Sequence, residues 1–156
     1  MMSLASASLA LVLAFVQAAP VPKADFSGRW TIDRSRSESP ANVVLEIKHT
    51  ATEISIETFR GDTTSKRVYP LEPEAHTISA AAVTEGHSHA YCSGTQLVTE
   101  VSGEIRGQTV SFKQTRSLNA AGTEMTVESI TIVQHGYSLE GGKTYGTAKD
   151  VYVRAK

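Results

Sequence analysis

Apolar and polar residues alternate with a period of two in segment after segment of this chain. In NVVLEIKHT, Val43, Leu45 and Ile47 point one way, and Glu46 and Lys48 the other. TEISIETF repeats the pattern with Ile54 and Ile56, and GQTVSFKQTRSL carries it over a longer span. A period of two is the signature of a half-buried strand, because successive side chains leave opposite faces of a pleated backbone. FSGRWTID, SKRVYPL, HSHAYC, QLVTEVSG, EMTVESITIV and AKDVYVRA complete the set. HTISAAAV reads as a short strand or a turn of helix, Pro70 as a fraying point, and EGGKTYG as a glycine-rich loop before the last strand. Roughly nine strands with turn signals about every ten residues specify an antiparallel sandwich or barrel. No amphipathic helix of useful length interrupts them. The abundance of Thr, Ser and Val suits strands.

The length, 156 residues, is enough for one domain with a core of its own. The formal net charge is -1 and the charges are interspersed. No basic stripe follows any segment, which argues against a nucleic-acid partner. The start, MMSLASASLALVLAFVQAAP, is a short apolar run ending in small residues, as in a secretory signal peptide. Cleavage after Ala18 places Val16 and Ala18 at the two small-residue positions. No Lys or Arg precedes the run, and it is shorter than the ~20 apolar residues a spanning helix needs. The expected organisation is a signal peptide over 1–18, a linker over 19–25 and one domain over 26–156. The mature chain is then secreted or periplasmic and has no integral membrane segment. Cys92 is the sole cysteine, which excludes an intramolecular disulfide.

DFSGRWTIDRSRSES resembles the opening strand of lipocalins and fatty-acid-binding proteins, which carry a Gly-x-Trp there. The likeness is closer to small secreted bacterial lipocalin-like proteins of unsettled activity. Their FSGxW start, LxIxH strand, AxWxG..L hairpin and WxLS.DG..L hairpin align with Phe26–Trp30, Leu45–His49, Ala90–Leu97 and Arg116–Met125. The resemblance implies an all-β fold: a single antiparallel lipocalin-like or fatty-acid-binding-protein-like barrel of eight to ten strands. It also implies that Arg154, from the last strand, stacks on Trp30 and closes one barrel end. The chain departs from the pattern twice, with Cys92 and Arg116 where tryptophans are expected. Such a barrel just holds a small ligand, so losing two rings and gaining a cation enlarges the interior and makes it more polar.

EGHSHAYCSG is the first candidate site. In a strand, His87, His89 and Tyr91 share one face, and Ser88, Ala90 and Cys92 the other. H-x-H sets two imidazoles side by side, but no third ligand stands nearby, so no metal is assigned. The resemblance puts Ala90 and Cys92 on the core side and the histidines toward solvent. VSFKQTR is the stronger lead: Val110, Phe112, Gln114, Arg116 and Leu118 share a face that is apolar except at Gln114 and Arg116. A buried arginine is costly unless paired. In a barrel interior it meets an acidic side chain or a ligand carboxylate or phosphate, whose geometry its planar fork matches. The alternatives are a bulge that leaves Arg116 solvated and a salt bridge to Glu128 across the hairpin.

The expected function is interior binding of a small, mostly apolar or amphipathic ligand with an acidic or polar end. Arg116, Gln114, Tyr69, Phe112 and Cys92 form the expected site, with Gln114 one step deeper than Arg116. No nucleophile elbow, carboxylate-pair motif or cofactor signature is present, and no cofactor is expected. A barrel pocket with one acid or base can still host an isomerase, lyase or hydrolase, for which His87, His89 and Glu128 are the candidates. A packed barrel serving as a protein-interaction module is the third alternative.

Overall fold

A computed structural model describes residues 24–72, 88–135 and 142–156, and within these bounds the alternating segments form strands. HTISAAAV, residues 1–23 and His87 lie outside the described residues. Nine strands are present among the described residues: β1 (Gly28–Ile32), β2 (Val43–His49), β3 (Glu53–Arg60), β4 (Thr63–Glu72), β5 (Ser88–Ser93), β6 (Gln96–Ile105), β7 (Gln108–Leu118), β8 (Glu124–His135) and β9 (Lys143–Arg154). A 3-10 turn, Arg34–Arg36, follows β1. The strands hydrogen-bond in sequence order and β9 returns to β1, closing a barrel.

One pairing is parallel, that of β4 with β5; the others are antiparallel. The odd strand number requires this. Directions cannot alternate all the way round a closed ring of nine, so one neighbouring pair must run the same way. A parallel step also needs a long connection, and residues 73–87 separate these strands. The parallel contact is short, Leu71 with Ala90 and Glu72 with Tyr91. The remainder of β4, from Thr63 to Pro70, pairs with β3 alone. Pro70 is therefore no break: the Leu71 amide donates toward β3, to the Thr52 carbonyl at 2.8 Å. The Pro70 nitrogen, one residue earlier, faces the unpaired side, where no donor is needed. Lys143–Gly146, expected as part of a glycine-rich loop, instead extend β9 and pair with β8.

The core fills one end. Phe26, Trp30, Ile54, Ala90, Leu97 and Met125 are at most 1% exposed, and burying a large apolar side chain contributes about 1.5–3 kcal/mol. Arg154 lies over the Trp30 ring, 4.5 Å from its centroid, and pairs with Trp30 in register. The indole N–H donates to the Phe26 carbonyl at 3.0 Å, and the Arg154 guanidinium donates to the Asp25 carbonyl at 3.0 Å. The segment before β1 is thereby tied across the barrel base.

Candidate functional site: an arginine-floored cavity

The interior opposite the packed end is hollow. A cavity of about 360 Å³ is bounded by β2, β3, β4, β7, β8 and β9. An adjoining lobe of about 310 Å³ shares Val43, Arg60, Phe112, Gln114 and Tyr152 with it. Both volumes lie near the lower end of ordinary ligand pockets, ~300–1,000 Å³.

The register sets which residues face it. On β7, Arg116 lies opposite Leu97 of β6 and Val127 of β8, both buried. Period two then brings Phe112, Gln114 and Arg116 to the same inner wall. β7 runs from the open end toward the core, so Arg116 is the deepest of the three. Gln114 is nearer the mouth, the reverse of the order expected from sequence. Tyr69 of β4, opposite Ile54, and Tyr152 of β9, opposite Met125, also line the cavity.

Arg116 is 2% exposed. Its Nη1 donates to Thr99 Oγ1 at 2.7 Å and its Nη2 to Gln114 Oε1 at 2.6 Å, while Nε has no partner. Gln114 Nε2 in turn donates to Ser129 Oγ at 3.1 Å. The guanidinium is thus held by neutral acceptors on the barrel wall. Among the described residues no carboxylate pairs with it. Burial pulls its pKa down to about 10, against a smaller opposing influence of Tyr69 and Tyr152. Tyr152 is pushed up to about 12, first by burial and then by the Asp150 carboxylate. Tyr152 is therefore neutral near pH 7, and Arg116 is a buried cation with no carboxylate countercharge beside it among the described residues.

The other sequence candidates fall elsewhere. Glu128 faces outward, its side chain 59% exposed and 3.5 Å from Lys149 Nζ, so it does not pair with Arg116. Cys92 shares the inner face of β5 but sits opposite Leu97 at the packed end, off the wall of either lobe. His89 is on the outer face, yet it is buried rather than solvated. Its ring stacks with Tyr91 at 6.0 Å, and its Nε2 is 3.6 Å from Glu100 Oε2. Tyr91 donates to Glu100 Oε1 at 3.1 Å, and Lys113 Nζ lies 3.0 Å from the same oxygen. Glu100 holds the Lys113 ammonium above its usual range, and burial raises the Tyr91 phenol. Neither His89 nor Glu128 reaches the cavity. No group of three or more His, Cys, Asp or Glu side chains is placed to hold a metal among the described residues. No helix among them is long and apolar enough to cross a membrane.

Sequence reasoning missed Arg60, Arg67, Tyr152 and Asp150, all on the cavity wall. Arg67 was within reach of it: it stands two residues before Tyr69 on the same strand, and so shares its face. Asp150 accepts from the Ser39 amide at 2.9 Å and from Ser39 Oγ at 2.5 Å. That contact joins the loop after the 3-10 turn to β9, and no alternation pattern announces it.

No protein-family model matches the sequence, and no curated protein matches it. Among solved structures, the chain is similar to the fluorescent protein UnaG at 14% identity, over 83% of this chain and 97% of that one, with a TM-score of 0.47. It is also similar to Caenorhabditis elegans lipid binding protein 8, at 13% identity over 83% and 95% of the two chains, with a TM-score of 0.49. The fatty acid transporter REP1-NXSQ is similar at 12% identity over 83% and 96%, with a TM-score of 0.43. The barrel architecture stands on the strand pairings of this chain itself.

Proposed function

We propose that the chain is an exported barrel that binds a small, mostly apolar ligand, with Arg116 anchoring the ligand's acidic or polar end. The observation that supports this most is a guanidinium 2% exposed, on a cavity wall, with no carboxylate partner among the described residues. Burying an unpaired charge is costly. A ligand anion would supply the missing charge at a contact of about 1.5–3 kcal/mol. Thr99 and Gln114 fix the guanidinium, and Val43, Leu45, Ile56, Phe112 and Val127 offer apolar wall to the rest of the ligand. The acid–base alternative has two of its named candidates facing away from the cavity, and a packed interaction module would have no cavity to explain. Export rests on the apolar run before Ala19, which precedes the described residues.

The test is fluorescence titration with anilinonaphthalenesulfonate, followed by displacement with long-chain carboxylates. One saturable site emptied by the acids is expected, with acid affinity weakened roughly tenfold to a hundredfold in Arg116→Met. Absence of saturable uptake would remove the binding role.

A further inference from the structure

The charge on the cavity wall exceeds what one carboxylate needs. The chain as a whole carries 15 basic and 16 acidic residues, yet Arg60, Lys66, Arg67 and Arg116 all line the larger lobe, with no acid lining it among the described residues. Asp150, on the adjoining lobe, already has both carboxylate oxygens occupied by Ser39.

The cations are divided by depth. Arg116 is on the floor. Arg67 faces inward from β4, opposite Ile56, and Arg60 closes the end of β3, opposite Thr63 and Val43. Both are exposed, and among the described residues neither has an ion-pair partner. Arg60 borders both lobes, and its charge acts on the Tyr152 phenol. Between floor and mouth, Leu45, Ile56 and Phe112 offer apolar surface beside the polar Thr58, Ser65 and Gln114.

We infer that the ligand carries two anionic groups separated by an apolar stretch, one meeting Arg116 at the floor and the other meeting the exposed arginines toward the mouth, Arg60 at the end of β3 and Arg67 in the middle of β4. This rests on the proposed binding role and narrows it to an amphipathic dianion of the dicarboxylate type. Exposed charge contacts are worth little singly and are screened by salt. The mouth arginines therefore add roughly twofold to fivefold each, and that gain fades at high ionic strength.

The test is calorimetric titration of the folded chain with linear α,ω-dicarboxylates and with monocarboxylates of the same length. At low salt the dicarboxylate of matching length is expected to bind about tenfold more tightly than its monocarboxylate. Raising the salt shrinks that advantage. The double variant Arg60→Gln/Arg67→Gln is expected to remove that advantage, so that it binds the two acids with nearly equal affinity. If monocarboxylates bind in an Arg116-dependent way and dicarboxylates bind no better, the second anion site is wrong while the single anchor stands. If the double variant weakens both acids equally, the mouth arginines do not read a second anion. If neither acid binds, both the inference and the binding role fail.

Discussion

Arg116 concentrates the chemistry of the molecule in one side chain. The barrel wall holds its charge with two neutral acceptors, Thr99 and Gln114, and leaves Nε unpaired among the described residues. Its folded pKa, about 10, lies below that of a solvated arginine. Between those two values the unfolded chain binds more protons than the folded one. This group alone therefore makes stability rise with pH there, and it exacts its full cost at neutral pH. Arg116→Met is expected to stabilise the empty barrel by about 1 kcal/mol or more, as replacing buried charge by apolar volume often does. Urea unfolding of delipidated protein measures this, and a large loss of stability would make the arginine structural. The same pKa bounds binding. Affinity for a carboxylic acid is expected to be level through neutral pH, to fall below about pH 5 as the ligand takes up its proton, and to fall again above about pH 10 as Arg116 loses its own. A neutral analogue should show neither limb when its Kd is followed over the same range. The sequence disclosed Arg116 because its strand face is otherwise largely apolar. It hid His89, which alternation correctly turned outward and wrongly left in water.

Strands carry these side chains to their positions, and their alternation made most of them legible. β7 is the clearest case, since Phe112, Gln114 and Arg116 follow from period two alone. β9 is the opposite case: the glycines before it suggested a loop, and pairing with β8 overrode that local preference. The parallel step from β4 to β5 could not be read from either strand, because it follows from closing an odd-numbered ring. At the barrel base, Gly28 has φ +130°, a conformation that side chains rarely adopt, and a Cβ there would meet Arg154 and the Trp30 indole at ordinary contact distance. The cost of Gly28→Ala is therefore backbone strain rather than a clash, about 1–3 kcal/mol. Chemical denaturation should show that loss with ligand affinity unchanged, since the base and the cavity are at opposite ends. A variant of parent stability would mean that the strand does not hold that backbone angle.

Across the whole molecule, a packed base stands opposite a hollow upper half. Phe26, Trp30 and Met125 secure one end, and the other end keeps a cavity of about 360 Å³ with a cation at its floor. Export is tested on the whole chain: protein recovered from the periplasm or the medium is expected to begin near Ala19, and a soluble cytosolic pool with Met1 intact would refute it. The central claim is that the buried guanidinium exists for a ligand anion. Its most direct measurement is a calorimetric comparison of a long-chain carboxylic acid with the alcohol of the same length, on the parent and on Arg116→Met. The parent is expected to favour the acid by roughly tenfold to a hundredfold, and Arg116→Met to erase the preference while keeping the affinity for the alcohol. An acid-to-alcohol ratio that is the same in both proteins would contradict it.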